Sequence, residues 1–178
     1  EDLGVLEHVQ NHVIMHARNL LRLGRAPRVE PGAVTPLGAS VADAVNLLRA
    51  AGLLRRVDVG LELPIEPLPV RLGPAEIEQV IVNLVKNAVD AWLETLRGPA
   101  RIRVQVSAST DGGSAICTVS DHAGGIPAEH LQVIFEPYFT TKPPGRGTGL
   151  GLFVVKRIVE SAGGRITVET EAGSGTTF

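Results

Sequence analysis

Two asparagines four residues apart, Asn83 and Asn87, stand in the otherwise apolar run VIVNLVKNAVDAW (80–92). Asparagine is a poor helix former because its side chain competes for backbone hydrogen bonds. A side-chain amide does offer an acceptor oxygen without formal charge. That suits Mg²⁺, a hard ion that takes oxygen ligands and keeps several waters, once phosphates already neutralise it. A second word, DHAGGIP (121–127), sets an acid at a strand end before small residues. Asp121 there could receive a flat amine-bearing group while the glycines let backbone approach it. In GRGTGLGLFVV (145–155), Gly145, Gly147, Gly149 and Gly151 alternate and lead straight into a helix. Free N–H groups and the positive end of the helix dipole then face a phosphate. No Gly-Lys-Ser/Thr follows, so this is not a P-loop, and it does not open the strand–turn–helix unit of a dinucleotide fingerprint. Between these words, IFEPYFTTK (134–142) gathers several of the chain's few aromatics. It reads as a lid anchored through Phe135 and Phe139.

Elements must hold these residues in place. At 100° per residue a helix over 74–96 turns Ile77, Val80, Ile81, Leu84, Val85, Ala88, Ala91 and Trp92 to one side. Gln79, Asn83, Lys86, Asn87 and Asp90 share the opposite arc. On pattern alone that arc is most often a solvated face, although such faces are usually filled with Glu, Lys and Arg. Apolar periodicity predicts further helices over 1–25, 40–54 and 149–162, the last ended by Gly163-Gly164. Strand signals fall on AVTPL, VDVGLEL, PLPVRLG, RIRVQVSAST, AICTVS and RITVETE, with a hairpin turn at DGG (111–113). Helices interleaved with hairpins predict an α+β, two-layer sandwich with one mixed sheet and helices on one face. GRAPRVEPG (24–32) is the best linker.

The 178 residues fit one domain of ordinary size, or one plus a short appendage. A net charge of −2 gives no electrostatic reason to expect nucleic acid or an anionic membrane surface as partner. The single cysteine, Cys117, excludes a disulfide framework and reads as a buried inert thiol. No apolar run reaches membrane-spanning length and no signal peptide is visible, so a soluble cytosolic chain is expected, with a membrane anchor elsewhere in a longer protein left open.

In their order and spacing, NLVKNAVDA, DHAGGI, IFEPYFTTK and GTGLGL resemble the N, G1, F and G2 boxes of bacterial sensor histidine kinases, whose ATP-binding domains have the Bergerat fold. The resemblance covers about 34–178, with a lid at about 122–148. It implies ATP and Mg²⁺ as cofactors, a mostly antiparallel mixed sheet, and transfer of the γ-phosphoryl group to a histidine. Asn87 would coordinate Mg²⁺, with Asn83 supporting the metal–phosphate geometry. Asp121 would accept a hydrogen bond from the adenine amine, with Thr176 nearby, and Gly125 would let backbone close on the nucleotide. Gly147, Gly149 and Gly151, with Thr148 and Leu150 between them, would hold the phosphates. Lys142 and Arg146 would reach the terminal phosphate, or else be solvated loop charges.

The resemblance further implies a homodimer through an N-terminal helical hairpin, with residues 1–25 as part of its second helix, and a response-regulator receiver domain as partner. No phosphoacceptor word, H-E-x-x-x-P or H-D-x-x-x-P, is present. His8, His12 and His16 read as a polar or partner-facing stripe. Two positions depart from the family pattern: Ala123 replaces the first glycine of the G1 box, and Gly73 replaces the usual aspartate cap before the asparagine helix. Ala123 leaves open a degenerate module that only senses nucleotide or docks a partner. An ATP hydrolase of the same fold would carry a glutamate where this chain has Asn83.

Overall fold

The computed structural model describes residues 34–95, 99–143 and 147–178. The helix expected over 1–25 with its three histidines, the linker expected around GRAPRVEPG and reaching the domain over 26–33, and Arg146 lie outside the described residues. In chain order the elements are β1 (Thr35–Pro36), α1 (Leu37–Ala50), β2 (Val57–Glu62), β3 (Pro69–Val70), α2 (Pro74–Thr95), β4 (Ala100–Ala108), β5 (Ala115–Asp121), a 3₁₀ turn (Ala128–His130), α3 (Gly151–Ser161), β6 (Glu169–Glu171) and β7 (Gly175–Thr177).

Five strands form one sheet in the order β2-β4-β5-β7-β6. β2 and β4 are parallel, joined by a crossover through α2, and every other pairing is antiparallel. The expected single sheet needs one correction: β1 and β3 pair only with each other, as a separate two-stranded ribbon. Both are two residues long, and each contains a proline, which lacks the N–H that a longer ladder needs.

Strict alternation on β4 buries Ala100, Ile102, Val104 and Val106 and leaves Arg101, Arg103 and Gln105 in solvent. The buried face meets Val41, Val45 and Leu48 of α1, Ile77, Ile81 and Val85 of α2, and Val155 of α3. This is the predicted two-layer arrangement. α1 starts three residues before its predicted position, directly after Pro36, and so buries Leu37 and Ser40 as well. β6 is shorter than RITVETE suggests. Ile166 and Val168 still turn inward half-buried, but ladder pairing begins only at Glu169.

Gly73 is not a bare cap for α2. The carboxylate of Glu76 reaches back and accepts the Gly73 N–H at 2.8 Å, while the Gly73 carbonyl accepts the N–H groups of Glu76 and Ile77. Half of a capping box thus replaces the missing aspartate.

Cys117 packs its side chain against the core from β5. Burial pushes its thiol from 9.0 up to about 12. The thiolate is the nucleophile, so a colorimetric disulfide reagent is expected to leave the native protein unlabelled at neutral pH and to label it fully after unfolding in guanidinium. The raised value favours the neutral thiol. Its stabilising contribution is therefore complete below pH 9 and is lost as pH climbs toward 12.

Candidate functional site

An open cleft with a cavity volume of about 240 Å³ runs along α2. The polar arc of α2 forms its floor. The 121–127 turn and Thr176 close one end, and residues 139–142 with Gly147–Gly151 close the other. The arc is thus not a solvated face. Gln79 and Asn83 are buried, and Lys86, Asn87 and Asp90 are half-buried against the cleft. Asn83 is 5% exposed, packs its carboxamide oxygen toward Gly151 at the start of α3, and keeps an Nδ2 with no hydrogen-bond partner among the described residues. A buried orphan donor is costly in a finished structure.

At the first end, Asp121 closes β5 and pairs in register with Thr176 of β7. The Ala123 N–H donates to its Oδ1 at 2.8 Å. Burial pushes the Asp121 carboxyl above its ordinary value, against the backbone hydrogen bonds from Ala123 and Thr176 that favour the ionised form. Ala123 is buried and is not among the residues at positive φ. Alanine there costs no backbone strain, which removes the one feature that favoured a degenerate module. Gly125 is different. It sits at φ +69°, and a Cβ there would run into the backbone of Glu171.

The turn is further tied down by Thr170, which the sequence reading did not single out. Its Oγ1 accepts the Ile126 N–H at 2.9 Å, donates to the Gly175 carbonyl at 2.8 Å, and lies 3.1 Å from the Thr176 hydroxyl. No local pattern announces this role, because Thr170 and Ile126 are 44 residues apart.

At the other end, Gly149 holds φ +64°, with its missing side chain facing the Tyr138 backbone, and the Tyr138 N–H donates to the Gly149 carbonyl at 2.9 Å. Tyr138 itself adopts φ +68°, uncommon for a bulky residue. Gly147, Thr148, Gly149 and Gly151 line the cleft. Leu150 does not: it is 5% exposed, and its N–H donates to Thr148 Oγ1 at 3.4 Å. Among the described residues the first turn of α3 has no side-chain cap hydrogen bond and no acid, so its positive end faces the cleft without a neutralising carboxylate in that turn. Within the 134–142 segment, Phe135 meets Phe178 edge-on at 6.3 Å, and Phe139 lies 5.3 Å from His130.

Asp90 is a second residue that the sequence did not single out. It receives Lys86 at 2.8 Å and Lys142 of the 134–142 segment at 2.5 Å. Burial would raise its pKa, but the charge of Lys86 and hydrogen bonds from Lys142 and Lys86 together hold it below the ordinary value. Among the described residues no His/Cys/Asp/Glu cluster could cage a metal ion. A half-buried amide, Asn87, lining the same cleft as the start of α3 fits a cation held mainly by phosphate oxygens and water.

Residues 73–178 match the family model described as "Histidine kinase-, DNA gyrase B-, and HSP90-like ATPase". The chain belongs to that family. Its relatives place it with the sensor-histidine-kinase ATP-binding domains. It is 33% identical to sensor kinase CckA of Brucella abortus (strain 2308) over 99% of this chain and 20% of that protein. It is 42% identical to sensor histidine kinase ZraS of Escherichia coli (strain K12) over 61% of this chain and 22% of that protein. The nucleotide-free catalytic domain of histidine kinase ThkA superposes with a TM-score of 0.67 at 29% identity, covering 82% of this chain and 91% of that one. The chain spans about a fifth of the length of the curated relatives it matches.

Proposed function

We propose that the domain binds ATP along the cleft, adenine at Asp121 and polyphosphate at Gly147–Gly151, and passes the γ-phosphoryl group to a histidine on a dimerisation hairpin, for relay to a response-regulator receiver domain. The observation that carries transfer over hydrolysis is Asn83. It stands one helical turn before Asn87 on the cleft floor, and an amide cannot act as a general base on water. Of the described acids lining the cleft, Asp90 is held by two lysines, Asp121 lies at the proposed adenine end, and Glu94 is about two turns beyond Asn87 along α2.

Each residue then has one task. Asp121 accepts a hydrogen bond from the adenine amine, and Thr176, hydroxyl-bonded to Thr170, supports it. Gly147, Thr148, Gly149 and Gly151 present backbone N–H groups to the phosphates, and Leu150 anchors that loop in the core. Lys142 neutralises charge on the terminal phosphate, and Arg146 joins it. Asn87 would hold Mg²⁺, which when bound supplies charge neutralisation across the phosphate oxygens. The acceptor imidazole nitrogen forms the new N–P bond as the bond to the β-phosphate oxygen breaks and ADP leaves. Asn83 holds Asn87 and the start of α3 in register for that displacement. Among the described residues no helix is long and apolar enough to cross a membrane. We place the domain in the cytoplasm, as half of a homodimer.

Labelled γ-phosphate from ATP is expected to move from this chain to a separately supplied hairpin bearing the acceptor histidine. Asp121→Asn should abolish transfer through lost ATP affinity, without lowering the thermal midpoint at pH 7, because the substitution removes a carboxylate that burial disfavours. The raised Asp121 value also means that ATP affinity falls as pH drops through it, at higher pH than for an ordinary carboxylate. Bound ATP without transfer would overturn the kinase assignment.

A further inference from the structure

One carboxylate oxygen, Asp90 Oδ2, serves two ammonium groups. Lys86 lies one turn earlier on the same helix, and Lys142 arrives from the lid, 52 residues away. The three side chains are 21–22% exposed and all line the cleft. The two bonds differ in kind. Lys86 is fixed at i,i+4 spacing on α2 and stays near Asp90 whatever the lid does. Lys142 belongs to an irregular loop segment, where local rearrangement is easier. A polyphosphate in the same cleft is a richer anion than one carboxylate and competes for the Lys142 charge. If Lys142 leaves, Asp90 keeps Lys86. The loss that makes breaking a shielded ion pair so unfavourable, a stranded charge, is therefore avoided.

We propose that Asp90 is a positioning residue that parks the Lys142 ammonium on α2 before nucleotide enters and yields it to the terminal phosphate afterwards. The proposal rests on the cleft being a nucleotide site. Binding of ATP then includes displacement of a protein carboxylate, and Asp90 lowers ATP affinity although it is no steric obstacle. Adenosine, which has no phosphates, escapes this competition. The exchange also gives the lid two defined positions, one against α2 and one against nucleotide.

Calorimetry on the full chain, with Mg-ATP and separately with adenosine, tests it. Asp90→Asn keeps the shape and an acceptor oxygen but removes the charge. It is expected to tighten ATP binding roughly threefold to tenfold, the scale of a partly shielded ion pair, and to leave adenosine affinity unchanged. In a Lys142→Met background the same substitution should change nothing. Asp90→Glu should restore wild-type behaviour. Asp90→Ser, a second neutral variant, must follow Asp90→Asn, so a folding defect in one does not hide the result. Unchanged or weakened ATP binding in Asp90→Asn, or an equal change with and without Lys142, overturns the exchange. A wild-type chain that binds neither ligand instead overturns the nucleotide reading, and the exchange with it. Wild-type binding with an indifferent Asp90→Asn overturns only the exchange.

Discussion

Replacing Asn87 with alanine is expected to lower phosphoryl transfer by about a hundredfold or more, the scale on which loss of one preorganised polar group at a transferring centre acts. The fold should survive. Asn87 is half-buried on the cleft side of α2, and the apolar side of that helix, with Ile77, Ile81 and Val85, is untouched. Alanine is also the better helix former, so the thermal midpoint without ligand should hold or rise slightly. The informative measurement is ATP affinity with and without Mg²⁺. Wild type should gain affinity from the metal, and Asn87→Ala should lose that gain while keeping its metal-free affinity. A variant that responds to Mg²⁺ as wild type does would take the metal contact away from Asn87. Asn83→Ala should behave differently: it removes the amide whose oxygen faces Gly151 and whose Nδ2 is buried without a partner among the described residues, so its loss of transfer is expected to come with little loss of metal dependence.

The second large effect is expected at Gly149. Alanine there must adopt φ +64° and also drive its Cβ into the Tyr138 backbone. Backbone strain alone is worth about 1–3 kcal/mol. The collision adds to it by prising apart the two segments that the Tyr138–Gly149 hydrogen bond joins. Gly149→Ala should lower the thermal midpoint and weaken ATP binding at least about tenfold, since a displacement near 1 Å at positioned groups costs about that or more. Gly112→Ala is the matched control. Its φ is +69°, with nothing within 4 Å of the added Cβ, and it lies on the distant β4–β5 loop. It should show the strain without the loss of affinity. If the two variants behave alike, the close approach of the two backbones is not what requires glycine.

The sequence made some of this legible and not the rest, for identifiable reasons. α2 was readable to within a residue because eight apolar positions repeat on one side of it. The strands β4 and β5 were readable from alternation. What alternation cannot supply is a partner, so Ile166 and Val168 suggested more strand than the ladder contains, and β1 and β3 were expected in a sheet that they do not join. The polar arc of α2 gave a direction but not its cover, and Asn83 turned out buried where a solvated face was the commoner expectation. Ala123 looked like a defect because a family word was compared letter by letter; the backbone angle at that position, which the word does not state, removes the difficulty. Thr170 went unremarked, and Asp90 was placed on the polar arc without a role, for one shared reason. The distant partner of Asp90, Lys142, is 52 residues away, and Ile126 is 44 from Thr170, and residue type alone carries no trace of such a meeting.

The strand order β5-β7-β6 has a consequence for how the protein is made. Asp121 has its carboxylate environment completed by Thr176, which emerges from the ribosome 55 positions later. Until then β5 has an open edge, exposed to unwanted pairing. With adenine at Asp121 as proposed, a nascent chain that already displays the α2 floor and the parallel β2–β4 pair would have no adenine end, and ATP could not act as an early folding ligand for it. On that proposal nucleotide would stabilise the domain only once β7 pairs with both β5 and β6, which would make ligand rescue a property of the finished sheet and leave the partly synthesised chain dependent on its apolar layer alone.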